Sequence, residues 1–151
     1  MERELTAARV LVAVLLLAVC ASPPPLTATV EAFVTKSATV GGPAQLAVTL
    51  TNTGPVIPHL GLVFMSGDKW YDHHDVTDGG GCTVDRDHSA FDCGDLKAGQ
   101  KATFTIVGTA RDAGNFHYEL AIQELVRPFA YVNDHPNGAD VQVWDEAVLP
   151  S

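Results

Sequence analysis

Basic residues are scarce in this chain: nine Lys and Arg stand against eighteen Asp and Glu, a formal charge of -9. With no basic stripe to offset it, that balance excludes nucleic acid as a partner, because phosphate backbones are held by clustered cations. Long hydrophobic runs are missing too, apart from Val10–Ala21 near the start. No window carries a sustained helical period with caps. The catalytic signatures are equally absent: there is no Gly-x-Ser-x-Gly elbow, no His-Glu-x-x-His helix and no glycine-rich phosphate loop. Gly79–Gly81 precedes a cysteine in an acidic loop, which would repel phosphate. The residue types therefore name no catalytic group and no cofactor.

What is present starts with an export segment. Residues 1–21 read as a signal peptide, because Val10–Ala21 has the length of its apolar region and is short for a membrane span. Two endings fit: small residues allow a cut after Ala21, and Leu17-Ala18-Val19-Cys20 resembles a bacterial lipobox, which would leave a lipidated Cys20 as the first mature residue. Valine before that cysteine departs from the usual small residue. An uncleaved anchor fits less well with so short a run. Removing residues 1–21 subtracts two basic and two acidic residues, so the mature chain keeps its charge of -9. The other two cysteines, Cys82 and Cys93, can pair without leaving an odd thiol, as an exported domain requires.

Residues 22–27, with Pro23, Pro24 and Pro25, form a stiff tether. From residue 28 to 149 the period is two. Val30, Ala32 and Val34 alternate with Glu31 and Phe33, and Leu46, Val48 and Leu50 with Ala47 and Thr49. Leu60–Met65 is a continuous apolar run, short enough for a strand buried on both faces. Ala102, Phe104 and Ile106 form one inward set, and Phe116, Tyr118, Leu120 and Ile122 another. The last strand is expected over Ala139–Trp144, with Val141 and Val143 inward and Trp144 on the outer face. About seven short strands separated by Gly, Pro and Asn turns predict an all-β, immunoglobulin-like antiparallel sandwich.

Several of these pieces carry a family pattern. Phe33-Val34-Thr35-Lys36, Val40-Gly41-Gly42, Leu50 to Pro55 with its Asn-Thr-Gly turn, and the block from Cys82 to Ile122 are its main parts. With the Gly94 to Gly99 turn and Asn133-Asp134-His135-Pro136-Asn137, they resemble the bacterial surface-repeat domain called domain of unknown function eleven, and the related cell-adhesion domain found in bacteria. The resemblance spans roughly residues 28–145. It implies an extracellular or wall-facing immunoglobulin-like module that spaces, adheres or binds, with no catalytic residues to transfer. Two departures stand out: there is one copy rather than an array, and the segment from Met65 to Cys82 is rich in Asp and His.

Residues 68–95 hold half of the mature chain's carboxylates and three of the six histidines. Carboxylates suit Ca²⁺ and imidazoles suit Zn²⁺ or Cu²⁺, and Asp72, His74 and Asp75 are the candidate ligands. The competing reading is a solvated segment whose charges keep strand edges from pairing. Trp70, Tyr71 and Trp144 could form an aromatic platform for sugar or protein, or cover the core. The expectation is an exported, non-catalytic module on the bacterial cell surface or envelope, binding a protein or glycan there. It would meet the membrane only through its leader or a lipid. An envelope metal-binding protein using residues 68–95 is the alternative.

Overall fold

The structure, a computed structural model, describes residues 22–126, 130–136 and 138–151. The leader, Cys20 and Asn137 lie outside the described residues. The elements in chain order are β1 (Ala28–Val34), β2 (Ser37–Thr39), β3 (Pro43–Asn52), β4 (Leu60–Phe64), α1 (Trp70–His73), β5 (His74–Asp78), β6 (Thr83–Asp85), β7 (Ala90–Asp92), β8 (Lys101–Ala110), β9 (Gly114–Glu124), β10 (Ala130–Tyr131), β11 (Asp134–His135), β12 (Gly138–Ala139) and β13 (Val141–Leu149). Six of the long strands, β1, β3, β4, β8, β9 and β13, fall where alternation or an apolar run places them, β5 is an addition, and the short strands come from switches and hairpins between them.

Two sheets face each other. One has the order β1-β3-β8-β5 and the other β2-β13-β9-β4-β7-β6, with β10 added beside β9. All neighbours are antiparallel except β2 and β13, which run parallel through Ser37–Thr39 and Ala147–Leu149. The chain thus leaves the first sheet after Val34 and joins the second at Ser37. This is the immunoglobulin-like sandwich that the alternating pattern predicts, and among the described residues no helix is long and apolar enough to cross a membrane.

The core follows the period-two sets. Leu46, Val48 and Leu50 from β3 and Ile106 from β8 are fully buried against Leu60, Leu62, Leu120 and Tyr118 of the opposite sheet. β4 is buried along its whole length, as a central strand covered on both faces must be. Each large aliphatic side chain removed from water contributes about 1.5–3 kcal/mol. Asn52 closes the end of β3: its amide donates to the carbonyls of Pro55 and Leu96 at 2.8 and 3.1 Å, and its oxygen accepts from Gly54 N at 2.9 Å. That satisfies a buried side chain and fixes the Asn-Thr-Gly turn. The Cys82–Cys93 disulfide clips the β6–β7 hairpin.

Two expectations change. The last strand runs to Leu149, and its phase is opposite to the one read from its valines: Trp144, Glu146 and Val148 point inward, while Val141 and Val143 are 39% and 59% exposed. The reason is the register, which sets Trp144 opposite Tyr118 and Glu146 opposite Phe116, so the inner face of β13 carries a carboxylate. The Asp/His-rich segment is not a loop either. It forms one helical turn, α1, followed by β5, the outermost strand of its sheet.

Candidate functional site

The three candidate metal ligands are not brought together. His74 is buried, and both ring nitrogens are engaged: Nδ1 with the Trp70 carbonyl at 2.8 Å and Nε2 with Glu146 Oε1 at 3.0 Å. Asp72 lies on the surface against Arg86 Nη1 at 3.0 Å, and Asp75 against Arg111 Nη1 at 3.3 Å. Alternation on β5 sends His74 and Asp75 to opposite faces, and Asp72 sits on the helical turn before it. Among the described residues, no group of three or more His, Cys, Asp or Glu is arranged to hold a metal ion.

The abundance of Asp and His has another explanation. Each of the six histidines stands beside a carboxylate: His59 by Asp92 at 2.9 Å, His73 by Asp68 at 3.3 Å, His74 by Glu146 at 3.0 Å, His88 by Asp85 at 2.7 Å, His117 by Asp145 at 2.7 Å and His135 by Asp140 at 3.3 Å. Hydrogen bonding to Asp145 and then Glu119 raises the His117 pKa above its ordinary value, and the Asp92 hydrogen bond does the same for His59. The backbone N–H of His117 donates to Asp68 and holds that carboxyl below its usual range.

Only the His74–Glu146 pair has the burial associated with an active site, and it is sealed. Both side chains are 0% exposed, and the Trp70 indole stacks on the imidazole at 4.1 Å and 9°. Gly108 makes that stack fit, because a Cβ there would lie 2.8 Å from the Trp70 ring. Tyr118 lies within electrostatic reach of Glu146, and burial first, then that carboxylate, pushes the phenol's pKa up. The cluster links the two sheets from inside the core. Trp70, Tyr71 and Trp144 are likewise core residues, at 0%, 3% and 7% exposure, and provide no exposed aromatic platform.

One surface that remains is the flank where β1 and β13 face each other with no strand of the described residues between them. A groove of about 890 Å³ runs there, walled by Ala32, Phe33 and Val34 on one side and by Val143, Trp144 and Asp145 on the other. Phe33 is 62% exposed, and Val141 and Val143 add to the apolar rim. Both strands have a free edge. Thr35 N donates to Gln45 O across β3, so by alternation the backbone groups of Val30, Ala32 and Val34 point away from the sheet. On β13, Ala147 N donates to Lys36 O and Leu149 O accepts from Val40 N, so the groups of Val141, Val143 and Asp145 point the same way, with no strand of the described residues opposite. Trp144, in the groove wall, holds a buried indole N–H with no acceptor.

The two far edges are built differently. β5 presents Asp75 and Asp78 and carries a register break between Val76 and Asp78, and β6 ends in Asp85. Charges and bulges of this kind keep strand edges from pairing. The β1–β13 flank exposes Phe33, Val141 and Val143 against Val84 alone on β6, and sequence reading missed it by sending Val141 and Val143 inward. The clue was available in the phase of Trp144-Asp145-Glu146, where either choice must bury or expose something unusual.

No protein-family model matches the chain, and no curated protein matches it. Among solved structures it is similar to the solution NMR structure of the CARDB domain of PF1109 from Pyrococcus furiosus, at 14% identity, covering 84% of this chain and 98% of that one, with a TM-score of 0.51. A crystal structure of the same domain in complex with di-metal ions matches at 13% identity, 85% and 95% coverage and a TM-score of 0.47. The ASH / PapD-like domain of human CEP192 (PapD-like domain 7) matches at 14% identity, 87% and 91% coverage and a TM-score of 0.35. At such identities the likeness concerns the fold alone: the chain shares an immunoglobulin-like architecture, and the resemblance read from its motifs is met at that level.

Proposed function

We propose that this chain is an exported, non-catalytic immunoglobulin-like module of the bacterial cell surface or envelope, whose work is to bind a polypeptide partner there. The observation that carries the reading is the asymmetry of the strand edges. β5 and β6 present Asp75, Asp78 and Asp85 with Val84 as their exposed apolar residue, while β1 and β13 pair an exposed backbone edge with Phe33, Val141 and Val143 beside Glu31 and Asp145. Phe33, at 62% exposure, and the two valines form a polar-rimmed apolar patch of the kind that marks an interaction site. A glycan is less well served, since Trp70, Tyr71 and Trp144 are buried and their faces cannot stack on a sugar. Export is supported by the apolar leader and by two cysteines joined as a disulfide, a bond that persists outside the cytosol. The acidic surface adds solubility and favours partners of opposite charge. Cell fractionation with surface proteolysis tests the location, and Phe33→Ser tests the role: the variant folds as before but is lost from the envelope fraction. Retention equal to the parent chain would overturn the binding reading.

A further inference from the structure

We infer that the unpaired edge of β13, over Val141–Asp145, takes an extended segment of a partner polypeptide as an added strand. This deepens the surface role above and rests on it. The lane for such a strand already exists, because β2 occupies it beside Ala147–Leu149 and stops there. The stretch next to Val141–Asp145 is about 16 Å long, enough for five extended residues. Its backbone donors and acceptors are spaced for a peptide and are unused within the sheet. Across the groove, Val30, Ala32 and Val34 present a second set.

The walls specify the guest. Its outward side chains lie beside Val141, Val143 and Asp145; Asp145 gives one oxygen to His117 and stays 81% exposed, so two are apolar and the third is a Lys or Arg. Its inward side chains lie over Trp144 in the groove wall and are small and apolar. Main-chain pairing supplies the affinity and the alternate side chains the selectivity. A second copy of this chain is a poor occupant, since each carries a charge of -9 and two copies repel.

The test is a titration of the ¹⁵N-labelled exported chain with a synthetic peptide containing Val-Ala-Val-Ala-Lys, followed by amide shifts and hydrogen exchange. Shifts and slowed exchange are expected at Val141, Val143, Asp145 and Ala32. Val143→Pro removes an outward N–H that the sheet does not use, so it weakens binding by about tenfold or more at nearly unchanged Tm. Replacing the peptide's Lys with Glu weakens binding several-fold, an effect that salt reduces. Failure of the peptide to shift these amides at millimolar concentration would overturn the inference, as would equal binding by Val143→Pro. Sedimentation showing a dimer with the same amides protected would assign the edge to a second copy and overturn it too. If the peptide fails while Phe33→Ser still leaves the envelope, only the added strand falls. If Phe33→Ser is retained as well, the binding reading falls with it.

Discussion

His74 Nε2 lies 3.0 Å from Glu146 Oε1 across the interior, with both side chains fully buried, so one hydrogen bond ties β5 of the first sheet to β13 of the second. Removing one member leaves the other's buried polar atom without its partner, which costs about 1–3 kcal/mol. His74→Leu and Glu146→Leu are each expected to lose stability on that scale in urea unfolding. The double substitution loses clearly less than the sum. An additive cycle would mean that the two side chains are not coupled.

The surface histidines set a pH window. For His59 and His117 the folded pKa is raised above the ordinary 6.5, so their contribution is complete below 6.5 and is lost as pH rises through the raised values. For Asp68 it is lowered from 3.8, so its contribution is present above 3.8 and is lost as pH falls through the lowered value. Taken together, these groups favour the folded state most between about pH 4 and 6.5. A Tm series from pH 3 to 9 should show that shoulder, and His117→Gln should flatten its alkaline side. An identical profile in the variant would remove His117 as a contributor.

The Cys82–Cys93 bridge closes a short loop, with a sequence separation of 11. Chain-entropy reasoning assigns such a loop about 3 kcal/mol. Cys82→Ala/Cys93→Ala, or reduction of the parent chain, should lower the unfolding midpoint accordingly while leaving the fold intact by circular dichroism.

Gly108 lies on β8 directly under the Trp70 ring, and a Cβ there would also meet the Asp75 carbonyl at 2.8 Å. Gly108→Ala must displace either the indole or the backbone of β5. The expected cost is about 1–3 kcal/mol, with a change in near-UV circular dichroism as the Trp70–His74 stack is disturbed. Gly81→Ala is the control. Its added Cβ meets nothing within 4 Å, so any loss there reflects only the positive φ of 91°.

Much of the sandwich was legible because its central strands either alternate, as β3 does, or run apolar throughout, as β4 does. Leu46, Val48 and Leu50 on β3 and the unbroken Leu60–Phe64 run could be assigned before any contact was known. The last strand was not, because its inward face holds Glu146, whose partner His74 is 72 residues away, and hydrophobic phase alone chose the valines instead. The segment 68–95 misled for a related reason. Composition reports how many carboxylates and imidazoles are near in sequence, whereas pairing across strands decides whether they converge on one site or pair off singly, as His117 and Asp145 do from β9 and β13. The free flank was hidden by the same phase error that hid Glu146.

β1 begins opposite Asn52, whereas β13 finishes beside Thr39, so the described chain enters the sandwich at one pole and leaves at the other. A pull between tether and C-terminus would therefore run along the strands. Tension would fall on the β1–β3 and β2–β13 ladders in shear, with their bonds sharing the load instead of unzipping one by one. A module held by its tether and loaded at its far end would resist that pull lengthwise.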